Sequence, residues 1–184
     1  MSFLNHTPNE RRAPVEKKTI TAALILAILL LIADQISKAA VVKYIRFGEK
    51  IPVIPDFFNL TYITNTGAAW GILSGHGWLL LVISLAVMAA LIYFMRTLTE
   101  GWPERIYALA IVMSGIIGNS IDRVFRKEVV DFLQFYFGKY QYPSFNVADS
   151  CICVGVVIFM ISTLCRPERR KTGGDDSGYV QLPK

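Results

Sequence analysis

The chain has 184 residues, of which 53% are hydrophobic and 18% charged, and its mean hydropathy is +0.43. A soluble domain of this size carries less apolar and more charged composition, so membrane segments are the first expectation. The net charge of +5 does not point to nucleic acid, because the basic residues flank apolar runs, where lipid headgroups and topology account for them.

Residues 1–18 read as a flexible basic tail with two prolines, Pro8 and Pro14, and four cations, Arg11, Arg12, Lys17 and Lys18. The first apolar run, 19–42, is long enough to cross a hydrocarbon core of ~30 Å as a helix. No small-x-small cleavage site follows it ahead of a soluble domain, and three more apolar runs come later, so it reads as a retained helix rather than a cleaved signal peptide. The connector 43–77 holds Ile51-Pro-Val-Ile-Pro-Asp-Phe-Phe-Asn-Leu-Thr-Tyr-Ile-Thr-Asn65. Its prolines, β-branched and aromatic residues predict one or two short surface strands. Further helices are expected at about 78–95, 106–121 and 147–165, two of them a little short for a full crossing. Trp78, Tyr93, Trp102 and Tyr107 near the ends of these runs fit an aromatic belt. Cys151, Cys153 and Cys165 all fall in the last run; an odd count in an apolar setting reads as packing rather than a disulfide framework. Residues 166–184, with Gly173-Gly-Asp-Asp176, read as a disordered tail.

The fold class expected is therefore an all-α membrane protein of four transmembrane helices, spanning 19–165, with a small β-containing subdomain on its outer surface. Four crossings place both termini on one side. The N-terminal tail carries four Lys or Arg, the connector Arg96–Arg105 two and the C-terminal tail five, eleven of the 19 in the chain. That bias puts both termini in the cytoplasm and the connectors 43–77 and 123–146 outside.

A carboxylate in or beside hydrocarbon costs a few kcal/mol, which makes each one a functional candidate. Asp34, Gln35 and Lys38 lie at the outer end of the first helix, and Asn65 lies in the outer connector within Asn65-Thr-Gly-Ala-Ala-Trp70. Asn119, Asp122 and Arg123 end the third helix, Asp131 interrupts Val129-Val-Asp-Phe-Leu133, and Asn146 and Asp149 open the fourth. Topology thus gathers every one of these groups at one leaflet. Each also has a plainer reading. Asp34 and Lys38, spaced i,i+4, can be an ion pair; Asn119, Asp122 and Arg123 can be a polar helix end. Asn146 and Asp149 have capping-box spacing, and Asn65-Thr-Gly67 has the composition of a turn. Asp131 is hardest to dismiss, since no basic residue lies within three positions of it.

The available chemistry narrows quickly. His6 falls in the N-terminal tail and His76 at a loop tip between Gly75 and Gly77, and no His/Cys/Glu set has zinc-ligand spacing. The cysteines have no histidine nearby to make a Cys-His nucleophile. There is no phosphate-binding Gly-Lys-Ser/Thr loop and no Gly-x-Ser-x-Gly elbow. Carboxylates remain. Two held close together share a proton, so one can act as base on a water while the other polarises a carbonyl.

At these residues the sequence resembles the lipoprotein signal peptidases, or signal peptidase II. The resemblance rests on Asp34-Gln-Ile-Ser-Lys38, Asn65-Thr-Gly-Ala-Ala-Trp70, Gly118-Asn-Ser-Ile-Asp-Arg-Val124, Val129-Val-Asp-Phe132 and Phe145-Asn-Val-Ala-Asp149, in family order across roughly residues 20 to 165. Each motif is short, but five in order are highly specific. Trp70 stands where the family more often has Phe. The resemblance implies a cofactor-free aspartic endopeptidase of the bacterial inner membrane, with its active site near the periplasmic leaflet. Its substrates would be prolipoproteins bearing a diacylglyceryl group on the lipobox cysteine, cut on the N-terminal side of that cysteine and open to inhibition by globomycin-type peptides. It maps the catalytic pair onto Asp131 and Asp149, with Asp122 a competitor that has Arg123 beside it as an evident charge partner. Asn119, Arg123 and Asn146 would line the site and hold the substrate backbone, supported by Asp34, Lys38 and Asn65. Two rivals from other classes are a proton relay, which needs acidic groups through the membrane depth, and a non-enzymatic scaffold. Prepilin or presenilin-like aspartyl proteases carry a Gly-x-Gly-Asp motif that is absent here.

Overall fold

The computed structural model describes residues 16–68 and 72–166; both expected tails for most of their length, His6 and Trp70 lie outside them. The first helix, α1, runs from Lys17 to Tyr44. At 1.5 Å per residue it is about 42 Å long, ample for a bilayer core. Its buried residues are Ala23, Asp34, Lys38 and Val41, whereas Ile25, Leu29 and Ile36 are more than half exposed. Apolar outside and polar inside is the pattern that lipid, not water, selects.

A hairpin follows, with β1 at Lys50–Ile54 and β2 at Phe58–Asn65. Its turn places Asp56 at φ 58°, a conformation that Asp tolerates better than most residues. Helix α2 covers Gly77–Tyr93 and breaks at Phe94 into a short α3, Met95–Thr99. Glu100 and Gly101, both at positive φ, then reverse the chain into α4, Pro103–Phe125, which starts on a proline whose missing N–H no helix start needs. Strands β3 (Val129–Phe137) and β4 (Tyr140–Gln141) lead into α5, Val147–Cys165. The strands form one antiparallel sheet in the order β1-β2-β3-β4.

Three of the helices, α1, α4 and α5, are long and apolar enough to cross a membrane; α2 is apolar but shorter. The main departure from the sequence reading is β3, which extends the sheet through the second connector, where no strand was read. Helix α4 also runs on to Phe125, so Asp122 and Arg123 sit inside it.

Helix α4 is the most buried of the three long helices. It touches α1, α2 and α5, and glycines let α5 come close. A Cβ on Gly115 would run into the Ala148 carbonyl, and one on Gly155 would lie 2.7 Å from the Ala108 carbonyl. This is the small-residue packing that brings helices together in lipid. The sheet caps the end of the bundle where α1 and α4 finish and α5 begins. Val41, Val130 and Phe132 form the core of that seam, with Leu60 and Val147 packed on it. Of the three cysteines, Cys151 alone is buried, which corrects the reading of all three as packing residues. Cys153, two residues on from Cys151, leaves its helix face, and Cys165 is exposed at the last residue of α5.

Candidate active site

The sequence singled out nine residues, and the fold joins all of them into one network at the seam between bundle and sheet. Asp131 lies on β3 opposite Ile63 of β2 and is 2% exposed. Its Oδ1 accepts from Asn146 Nδ2 at 2.8 Å and its Oδ2 from Asn65 Nδ2 at 3.2 Å. Asp149 comes from the other direction, in the first turn of α5. Its Oδ1 accepts from Asn119 Nδ2 at 2.8 Å and its Oδ2 from the Asn146 backbone N–H at 3.2 Å.

Asn146 therefore serves both carboxylates, one through its side chain and the other through its backbone. It is also the N-cap of α5, with Asp149 completing a reciprocal capping box. Capping and site geometry are the same set of contacts. Asn65 is similarly double: its Oδ1 accepts from Gly67 N–H at 2.8 Å, an Asx turn, and that turn aims its amide nitrogen at Asp131.

The remaining residues stand behind this pair. Lys38 is fully buried between Asp34 at 2.9 Å and Asp122 at 3.0 Å, and it reaches Asn119 Oδ1 at 3.0 Å. The Asp34–Lys38 ion pair is real, but it is one arm of a larger cluster. Asp34 also accepts the Ala148 N–H at 2.8 Å, tying α1 to the start of α5. Asp122 accepts from Val130 N–H at 3.3 Å and has Arg126 at 3.4 Å as a second cation. Its partners are thus Lys38 and Arg126. Arg123, the neighbour expected to pair with it, donates instead to the Gly67 carbonyl at 3.3 Å. Successive residues on a helix point about 100° apart, which turns Asp122 inward and Arg123 toward the loop.

A cavity of about 850 Å³ opens beside the two carboxylates. Of the nine residues, Asn65, Asp131 and Asp149 line it; Asn119 and Asn146 are buried behind the carboxylates they serve. Its walls are mostly apolar and were not foreseen from the sequence, among them Phe135, Tyr142, Phe145, Ile152 and Cys153. Phe135 stacks on Phe145 with ring centroids 5.8 Å apart, and Tyr142 meets Phe145 edge-on. A period-two reading from Asp131 would have reached Phe135 and Phe137 on the same face of β3.

Burial is the main reason that the Asp131 carboxyl is pushed up from 3.8 to about 7; the negative charge of Asp149 adds to the rise, and the amides of Asn65 and Asn146 oppose it. At neutral pH a carboxyl with that value is about half protonated. Among the described residues no three His, Cys, Asp or Glu side chains are grouped to hold a metal ion.

A family model for signal peptidase (SPase) II matches residues 26–165. The chain belongs to the signal peptidase II family. It is 45% identical over 149 residues to the lipoprotein signal peptidase of Bacillus pumilus (strain SAFR-032), covering 80% of this chain and 95% of that one. To the lipoprotein signal peptidase of Bacillus subtilis (strain 168) it is 42% identical over 146 residues, 79% of this chain and 95% of that one. Two solved structures, each described as a bacterial membrane enzyme studied by the in meso method, share its fold. The one at 2.3 Å resolution has a TM-score of 0.75 at 33% identity, covering 88% of this chain and 96% of that one. The one at 1.9 Å has a TM-score of 0.72 at 36% identity, covering 79% and 94%. The signal peptidase II family consists of multi-pass membrane proteases that remove signal peptides from prolipoproteins.

Proposed function

We propose that this chain is an aspartic endopeptidase that cuts diacylglyceryl-modified prolipoproteins N-terminal to the lipidated cysteine, with Asp131 and Asp149 activating the water. The observation that carries the reading is Asn146 donating to both carboxylates at the edge of a largely apolar cavity. That arrangement supports two acids close enough to share one proton.

The two acids differ in what surrounds them. Asp149 sits in the first turn of α5, where the helix dipole favours negative charge, so it is the base. Asp131, raised to about 7 by burial and by Asp149, is the acid. Asp149 takes a proton from the water as its oxygen attacks the scissile carbonyl carbon, and Asp131 gives its proton to the carbonyl oxygen. When the tetrahedral diol collapses, Asp149 passes its proton to the leaving nitrogen, the C–N bond breaks, and a hydroxyl proton returns to Asp131. The cycle balances without a cofactor.

The cavity also supports a lipidated substrate. Its α5 side is made by Ile152, Cys153 and Val154, and Val154 is 52% exposed on the apolar outside of the helix. A diacylglyceryl chain lying along that face stays in hydrocarbon while its cysteine enters the cavity. By the charge bias of the loops, both termini face the cytoplasm and the sheet lies at the periplasmic leaflet of the inner membrane. The test is cleavage of a diacylglyceryl-modified precursor beside its unlipidated form in detergent, with and without globomycin. Selective, globomycin-sensitive cleavage of the lipidated form is expected; equal cleavage of both removes the substrate assignment.

A further inference from the structure

The mechanism above gives Lys38 no part, yet it is among the largest fully buried side chains in the protein. Its three N–H donors are all used, on Asp34 Oδ2, Asp122 Oδ2 and Asn119 Oδ1. The third contact matters most, because an asparagine amide presents an acceptor on one side and a donor on the other with nearly the same shape. Only its neighbours decide which way it faces. At Asn119, the ammonium 3.0 Å from Oδ1 can meet only an acceptor, which leaves Nδ2 directed at Asp149 Oδ1, 2.8 Å away. Asn146 Nδ2 approaches the same Asn119 oxygen at 3.2 Å. That amide has two hydrogens for three acceptors, however, and Asp131 Oδ1 at 2.8 Å is the nearest of them, with the Val130 carbonyl also at 3.2 Å. Lys38 is the decisive lock.

We propose that Lys38 is a positioning residue: it fixes the amide of Asn119 so that an N–H, and not a lone pair, faces Asp149, which holds Asp149 ready to accept the proton of water. This rests on the aspartic-pair reading above. With the amide reversed, two acceptor oxygens would face each other, and Asp149 would relieve the clash by taking a proton, which leaves it useless as a base. Asp149 is also faced by Asp131 from β3, by Arg123 from α4, by Asp34 from α1 and by the N-terminus of its own helix. A test must therefore separate orientation from charge.

The double variant K38M/D122N does so, since it removes one positive and one negative charge and leaves the net charge of the buried cluster unchanged. Its kcat–pH profile is expected to show the acid limb moved upward by about one pH unit, with KM for the lipidated precursor little changed. In K38Q/D122N, which has the same charges but keeps a donor for Asn119, the limb returns toward the wild-type position. An unmoved limb in K38M/D122N overturns the proposal. So does an equal shift in both variants, which reports the lost ammonium charge rather than the lost donor. If these proteins do not fold, N119L decides, because it removes the donor to Asp149 while every charge, Lys38 included, stays: a wild-type acid limb in N119L overturns the proposal and a raised one supports it. D149N is run in parallel. An active D149N enzyme removes the aspartic pair itself, whereas an inactive D149N with an unmoved limb in K38M/D122N removes only the role of Lys38.

Discussion

Asp131→Asn is expected to abolish cleavage and, at the same time, to make the protein more stable at alkaline pH. A carboxyl raised from 3.8 to about 7 on folding favours its protonated form in the native state. Its contribution to stability is complete below 3.8, declines as pH rises, and is lost once pH passes about 7. The gap between those values corresponds to about 4 kcal/mol of destabilisation carried by the ionised group at pH 8.5. Asparagine has no such charge to bury. It does place an NH₂ against one of the two side-chain donors, Asn65 or Asn146, which costs about 1 kcal/mol. The net gain is about 3 kcal/mol at pH 8.5, or about 6–12 °C in Tm for a domain of this size. At pH 4 the gain vanishes and the lost hydrogen bond leaves the variant slightly the weaker. Thermal unfolding of both proteins in the same detergent, scanned from pH 4 to pH 8.5, measures the difference. A Tm difference that does not vary with pH would refute the claim that Asp131 is a carboxyl held uncharged by burial.

Asn146→Ser separates capping from site geometry. Serine keeps the N-cap of α5, a role worth about 1 kcal/mol, but loses the amide that reaches Asp131. Cleavage should fall about 10- to 150-fold, as for one lost hydrogen bond to a group that becomes charged when it gives up its proton in the reaction, and by far more than melting temperature would suggest; a variant with normal kcat argues that Asn146 is only a cap. Gly118→Ala should destabilise the protein by about 1–3 kcal/mol, because its Cβ would lie 2.5 Å from Asp34 Oδ2 and 3.2 Å from the Ala148 Cβ. An unchanged melting temperature would mean that α1 and α5 have slack at this point. EDTA should leave cleavage intact, and a loss of activity that zinc restores counts against a purely carboxylate mechanism.

The apolar helices and a small antiparallel sheet were legible because the period and length of hydrophobic runs depend on local sequence alone. The nine polar residues were legible for a related reason: in lipid each buried charge needs a partner, so a list of polar residues in apolar segments is nearly a list of contacts. Strand β3 was missed. Val129-Val-Asp-Phe-Leu133 alternates poorly because β3 is buried on both faces over its first residues, and such a strand looks like any short apolar run. Missing β3 also hid the aromatic wall of the cavity, since Phe135 reaches the site only through strand pairing. The partner of Asp122 was misread from sequence adjacency. Arg123 is its neighbour along the chain, but helix geometry turns the two apart, and Lys38, 84 positions earlier, is the cation at 3.0 Å.

The most direct test of the account is the single-turnover cleavage rate of a diacylglyceryl-modified precursor by purified wild-type, Asp131→Asn and Asp149→Asn proteins, each verified as folded by its unfolding transition. Both variants should be slower by several orders of magnitude while still binding the precursor. Cleavage at the wild-type rate by either one would mean that the water is activated by something other than these two carboxylates.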